Sequence, residues 1–238
     1  MSLTNSAIPS IYNPGSLSTS ELKSSFVIRM QELNLLLDEI RQDKMDKPGQ
    51  HFIVQGQRGS GKTTLLLMIK YTVADDPLLN SWLIPVIFSE EQYNITKLYK
   101  LWESIARYLE EEDSLHGLFN GLENEMKKHP DIDDYESVCY EILINALEKN
   151  NKKLLLLIDN FGDMIGKFNN KETQRLREIL ITSSNIKIIG GSAVTLMFQA
   201  NYSHSFYEFF RIIPLEGLTS EETIDLLKKF AEIRNESE

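Results

Sequence analysis

HFIVQGQRGSGKTT, residues 51–64, is the stretch whose reading decides the fold. An apolar run ends in Gly56, and Gly-x-x-x-x-Gly-Lys-Thr follows through Thr63. A phosphate tail needs several main-chain N–H groups turned inward around a tight bend. Gly56, Gly59 and Gly61 supply the dihedral freedom and close approach that side chains would block. Lys62 is placed to reach the β- and γ-phosphates and Thr63 to offer its hydroxyl to Mg²⁺, while a helix opening at Gly61 adds the positive end of its dipole. Gln57, Arg58, Ser60 and Thr64 complete the lining expected around a nucleoside triphosphate, with Arg58 free to contact phosphate or adjacent protein. The flanks have the order this chemistry requires. Residues 51–55 read as a buried strand, and Leu65, Leu66, Met68, Ile69 and Val73 recur at helical spacing over 62–74. A chance glycine-rich turn is the competing reading, and the strand–loop–helix context argues against it.

Working outward, four further apolar segments read as strands, at 83–88, 154–158, 186–189 and 211–215, with helical segments between them. That alternation predicts an α/β fold: a five-stranded parallel sheet in a three-layer αβα arrangement with right-handed crossovers. Leu98, Leu101, Trp102, Ile105 and Leu109 mark one helix face, and Tyr135, Val138, Cys139, Ile142, Leu143, Ala146 and Leu147 another. Leu33, Leu36, Leu37 and Ile40 mark a third, ahead of the loop and preceded by Phe26-Val-Ile-Arg29. Residues 110–134 are acidic and polar and predict an exposed connection with a short helix near 115–126. The expected division is a flexible arm at 1–20, a nucleotide-binding core at 21–216, and at 217–238 the start of a helical lid. That lid opens with a Thr219/Glu222 capping box and carries Ile224, Leu227, Phe230 and Ala231 on one face.

The chain has 238 residues, enough for one core and the beginning of a second domain. Acidic residues outnumber basic ones, 35 to 25, for a formal charge of −10, so the chain as a whole lacks a footprint for nucleic acid or an anionic membrane. A local basic patch stays open. The single cysteine, Cys139, reads as a small buried hydrophobe, and no disulfide framework can form. Neither a signal peptide nor an apolar run of membrane-spanning length is found, which makes the cytoplasm the expected location and a membrane partner not expected.

Lys153-Leu-Leu-Leu-Leu-Ile-Asp159 is an aliphatic run that ends abruptly in a carboxylate. Ligands of open α/β sheets bind at such carboxyl ends, so Asp159 is expected to hold Mg²⁺ together with Thr63. Capping of the next helix is its alternative role.

The order of phosphate loop, strand, carboxylate-tipped strand and then Ile188-Ile-Gly-Gly-Ser192 resembles the P-loop ATPases of the AAA+ and STAND type, in particular the archaeal-type ATPases and their bacterial relatives, over roughly residues 24–235. The resemblance implies ATP and Mg²⁺ as cofactors, with Lys62 and Asp159 in the catalytic set. It also implies contact of the Phe26–Arg29 box with adenine, Arg29 included, although Ile28 stands where the family has glycine. Ser192 falls at the position of a polar side chain near the γ-phosphate, and a Gly-Gly-Ser strand end is also an ordinary turn. No Asn-Lys-x-Asp motif for guanine is present. After the aspartate the family has Glu or Asp to orient the attacking water, whereas this chain has Asn160, an amide that can hydrogen-bond a water but not take its proton. Glu90, Glu91 and Asp163 are the alternative bases, or else simply solvated carboxylates. The leading expectation is an ATPase that turns over slowly and acts as a conformational switch on a protein partner or on a second copy. A nucleotide-binding scaffold with negligible turnover stands beside it. So does a DNA-processing ATPase of the initiator or helicase-loader kind, which would meet nucleic acid through domains this chain does not contain.

Overall fold

The computed structural model describes residues 18–89, 95–128, 134–193, 206 and 208–235, the side chains of 233–235 excepted. Within them lie five strands, β1 (Phe52–Gly56), β2 (Leu83–Phe88), β3 (Lys153–Ile158), β4 (Ile186–Ser192) and β5 (Arg211–Leu215). They form one parallel sheet in the order β2-β3-β4-β1-β5. The expected αβα core is present. Its helices are α1 (Thr19–Ser25), α2 (Met30–Gln42), α3 (Lys62–Asp75), α4 (Pro77–Asn80), α5 (Leu98–Glu111), α6 (Leu122–Met126), α7 (Tyr135–Lys149), α8 (Phe161–Gly166), α9 (Asn170–Thr182) and α10 (Ser220–Asn235).

Side-chain alternation along the strands divides the interior into two layers. Phe52, Val54, Leu155, Leu157 and Ile189 face α1 to α4, while Ile53, Leu154, Leu156, Ile158 and Ile188 face α5 to α9. All five residues from Leu154 to Ile158 are fully buried, each worth on the order of 2 kcal/mol of transfer free energy. The strand that carries Asp159 is therefore firmly held. Both strand prolines sit on edge strands, Pro85 in β2 and Pro214 in β5, where a missing ladder donor is tolerated.

The structure differs from the sequence reading in three local respects. Helix α1 begins at Thr19, where a flexible arm was expected, because Ser18 and Glu21 form a reciprocal capping box and Leu22 packs into the core. Strand β4 runs on through Gly190 and Gly191 to Ser192, three residues beyond the apolar segment 186–189 that marked it. The helix anticipated near 115–126 is confined to Leu122–Met126. Helix α10 forms behind the expected Thr219/Glu222 cap, and on it Ile224 and Leu227 are 50% and 63% exposed. Cys139 is buried as expected, and burial pushes its thiol up to about 11, which makes it inert.

At the end of the sheet opposite the phosphate loop, His51 is buried with both ring nitrogens engaged. Nδ1 accepts from the Ile188 N–H at 3.0 Å, so Nε2 carries the proton and donates to the Leu180 carbonyl at 3.2 Å. Lys187, also buried, pairs with Asp43 at 2.7 Å and donates to the Gln50 carbonyl at 2.9 Å. Burial, aided by the Lys187 charge, pushes His51 down to about 4 against the pull of Leu180 and Asp43. Its folded pKa thus lies below the unfolded value of about 6.5. Between these two values the unfolded chain takes up a proton that the folded chain refuses. Stability contributed by neutral His51 is complete above pH ~6.5, falls as pH drops toward ~4, and amounts to about 3 kcal/mol over that window. Replacing His51 by Gln, which keeps a donor and an acceptor, should flatten this part of the profile. Urea unfolding of both proteins between pH 7.5 and 4.5 measures the slopes, and equal slopes would assign the titration elsewhere.

Candidate functional site

The tips of β1, β4 and β3 lie side by side, and the connections leaving β1 and β3 go to opposite faces of the sheet, since α3 packs with α2 in one layer and α8 lies in the other. Such a divergence opens a crevice at the carboxyl edge. Gly56, Ser192 and Asp159 stand at or just beyond the three tips.

The loop that leaves β1 is built by its glycines. Gly59 and Gly61 have φ of 82° and 93°, in the left-handed region that favours glycine. A Cβ on Gly56 would lie 2.5 Å from Ser60 Oγ and 2.9 Å from Leu215 Cβ, so only glycine lets the loop close against β5. The turn is fastened by the Ser60 N–H on the Gln57 carbonyl at 3.1 Å. Helix α3 then starts without a side-chain cap, leaving the N–H groups of Gly61, Lys62, Thr63 and Thr64 free of intrahelical partners. Lys62 is buried and folds back across its own loop, donating to the Gly56 and Gln57 carbonyls at 2.9 and 2.8 Å. Burial lowers its pKa, and the Asp159 charge works in the opposite direction. Gln57, Arg58 and Gly59 are exposed at the rim.

Asp159 is buried, its main-chain N–H bound to the Phe88 carbonyl at 3.0 Å. Thr63 Oγ1 donates to Asp159 Oδ2 at 2.5 Å, and Oδ1 accepts the Asn160 N–H at 3.1 Å. The hydroxyl and the carboxylate expected to share a divalent cation are therefore already in contact. Asn160 begins α8 in the left-handed region, with φ 50° and no side-chain cap bond. Asn is among the few residues that tolerate that conformation. Ser192 is buried opposite Gln55 across the β4–β1 ladder. Asp163 is exposed on the first turn of α8. Glu90 and Glu91 lie outside the described residues. The Arg29 guanidinium reaches the loop from the start of α2, where its Nε donates to the Ser60 carbonyl at 3.3 Å.

Among the described residues, the buried hydroxyl of Ser60 has no hydrogen-bond partner. A buried polar atom without a partner costs about 1–3 kcal/mol, and here it stands in a loop lined by uncapped N–H groups and a lysine. Together these groups fit a polyanionic ligand. The oxygen pair of Thr63 and Asp159 fits Mg²⁺, which is held by one or two protein oxygens with water and phosphate supplying the rest.

Sequence reasoning missed Gly190 and Gly191 as parts of the site. A Cβ on Gly191 would come within 2.9 Å of Asp159 Oδ1, and one on Gly190 within 2.8 Å of both Ile53 Cδ1 and Phe161 Cβ. The signal was present as a Gly-Gly pair directly after an apolar strand.

The NACHT domain model matches residues 50–232. No curated protein matches the chain in sequence. Among solved structures, the chain resembles the Orc1 protein of Aeropyrum pernix in complex with DNA, with 16% identity and a TM-score of 0.61, covering 86% of this chain and 49% of that one. It also resembles Cdc6p of Pyrobaculum aerophilum, with 14% identity and a TM-score of 0.62, covering 94% and 53% respectively. The Orc2 protein of Aeropyrum pernix, solved as ADPNP–ADP complexes, matches with 14% identity and a TM-score of 0.64, covering 93% and 55%. At such identities the likeness is one of fold, and the chain spans about half the length of these structures.

Gly190→Ala should cost about 1–3 kcal/mol, the usual range for overpacking, because the Phe161 Cβ that it would meet is fixed by its own backbone and cannot swing away as the Ile53 methyl can. Chemical denaturation measures this, and a change below ~0.5 kcal/mol would show that the sheet shifts freely there.

Proposed function

The chain belongs to the NACHT domain family of P-loop NTPases, and on that premise we propose that it binds Mg²⁺-ATP at residues 56–64, hydrolyses it slowly to ADP and phosphate, and uses the change of nucleotide as a conformational switch. The observation that carries this reading is the convergence of Lys62, the uncapped N–H groups of α3 and the Thr63–Asp159 pair at three neighbouring strand tips.

In this reading, triphosphate entry draws the Lys62 ammonium from the Gly56 and Gln57 carbonyls to the β- and γ-phosphates, and the N–H groups of residues 59–64 close around the phosphate oxygens. Thr63 and Asp159 would hold the cation, whose charge would offset that developing on the phosphate oxygens. Asn160 hydrogen-bonds the attacking water without accepting its proton, so turnover is slow. Ser192 is assigned to the γ-phosphate side of the site. Glu90 remains the proposed alternative base, and the Phe26–Arg29 segment is assigned to the nucleoside side. ATP is favoured over GTP because the chain lacks a guanine-reading motif. The absence of a carboxylate at position 160 also favours the second reading, a nucleotide-binding scaffold with negligible turnover. The switched partner is proposed to be a protein or a second copy acting through segments that follow residue 216.

Among the described residues, no helix is long and apolar enough to cross a membrane.

Lys62→Ala should lower ATP affinity by up to about 100-fold, since one charge-assisted contact to phosphate contributes up to about 3 kcal/mol, while Thr63→Ala should lose mainly the Mg²⁺-dependent part. Calorimetric titration with and without Mg²⁺ separates the two, and unchanged affinity in Lys62→Ala would refute the site. Asn160→Asp tests the missing base, since aspartate also tolerates the left-handed backbone at this position, which glutamate would strain. Single-turnover cleavage should rise by about 100-fold, the lower end of what a positioned base contributes. Absence of cleavage in both wild type and Asn160→Asp would give the scaffold reading precedence.

A further inference from the structure

Arg29 combines features that packing alone does not explain. It adopts φ 65° at the residue before α2, a conformation that costs a non-glycine residue about 1 kcal/mol, and its side chain is only 5% exposed. A guanidinium stays charged at every working pH, so burying it is tolerated only if its donors are taken up. Its three nitrogens go to three separate places: Nε to the Ser60 carbonyl at 3.3 Å, one terminal nitrogen to the Glu216 carbonyl at 2.5 Å, and the other to Glu32 Oε1 at 3.4 Å.

The two carbonyls belong to parts of the molecule with different tasks. Ser60 lies in the phosphate loop, and its C=O shares a peptide unit with the Gly61 N–H. In a trans peptide these two bonds point in opposite directions. A cation holding the Ser60 oxygen therefore turns the Gly61 N–H the other way and polarises it, strengthening it as a donor. Glu216 follows β5 directly and leads into α10, in which none of the described side chains is buried. Apolar packing does little to fix the root of that helix. Its neighbour Leu215 rests against Gly56 at the opposite end of the same loop.

We propose that Arg29 is a positioning residue that orients the Ser60–Gly61 peptide for phosphate and ties it to Glu216, so that occupancy of the loop is transmitted to the root of α10. The inference rests on the nucleotide reading above and adds a route by which the site reports its state. Nucleotide binding fixes the Ser60–Gly61 peptide, the guanidinium is held with it, and its second arm restrains Glu216.

Hydrogen exchange followed by mass spectrometry, with calorimetry on the same samples, tests this. In wild type, saturating Mg²⁺-ATP should slow amide exchange over residues 216–219 by about 10-fold or more. Arg29→Lys, whose ammonium reaches one carbonyl at a time, should bind ATP about 10-fold more weakly, the cost of one charged hydrogen bond, and show no slowing over 216–219 at saturation. Arg29→Gln, with a neutral donor, is the second variant should the lysine protein fail to fold, and the same outcome is expected. Arg211→Gln controls for general loosening of β5, since Arg211 pairs on the surface with Glu39; it should respond like wild type. A full response in Arg29→Lys or Arg29→Gln overturns the proposal, as does a wild type that binds ATP without any change at 216–219. A wild type that does not bind ATP overturns the nucleotide reading itself, and calorimetry distinguishes that failure from the other two.

Discussion

The contact between Thr63 and Asp159 is the one on which the site depends. It joins the first turn of α3 to the tip of β3, two elements that do not neighbour each other in the sheet, since β4 lies between β3 and β1. For the two side chains to meet, β4 must pass beneath them with almost nothing projecting. Gly191 meets that requirement by leaving room for the carboxylate, while Gly190 on the other face makes room for Phe161 and Ile53. A methyl group on Gly191 would press directly on the Asp159 carboxylate, and one on Gly190 on Phe161 and Ile53 at the other face of the sheet. The geometry of the chemistry is set by an absence of atoms in the strand between.

Much of this was legible because strands and helices differ in apolar pattern. The unbroken aliphatic run of β3 marked a central strand buried on both faces, and the helical spacing of Leu65, Leu66, Ile69 and Val73 placed α3 directly after the loop. The glycine pattern of residues 56–61 carried its own structural meaning, and the left-handed φ values of Gly59 and Gly61 agree with it. Three things were hidden. Helix α1 lay in a Ser- and Thr-rich stretch whose composition masked the Ser18/Glu21 cap. The extension of β4 was hidden because paired glycines resemble a turn until the neighbour that needs the space is known. Arg29 showed no sign of its partner, because the Glu216 carbonyl reaches it only once β5 has joined β1. Main-chain acceptors leave no trace in a residue pattern.

The two ends of the sheet manage charge in contrasting ways. At the amino end Lys187 is buried but paired with Asp43, and the neutral His51 beside them completes its hydrogen bonds with main-chain groups. Every buried donor there has an acceptor, the condition under which such groups are tolerated. At the carboxyl end Lys62 holds only main-chain carbonyls, and the Ser60 hydroxyl has no partner among the described residues. One end is satisfied by the protein alone, and the other is completed by a ligand.

The edge prolines bear on how copies of this molecule can meet. A parallel sheet of five strands would ordinarily offer two open rows of donors and acceptors to a neighbour's strand. On β2 the central outward position is Pro85, which has no N–H, and its carbonyl accepts the Tyr108 hydroxyl at 3.3 Å. On β5, Pro214 likewise lacks a donor near the strand's end. Neither margin presents an unbroken template, so assembly by adding strand to strand is hindered on both sides. Any contact between copies would then fall to helices and loops, which can be remade, whereas a continuous intermolecular sheet would fuse the copies into a rigid whole.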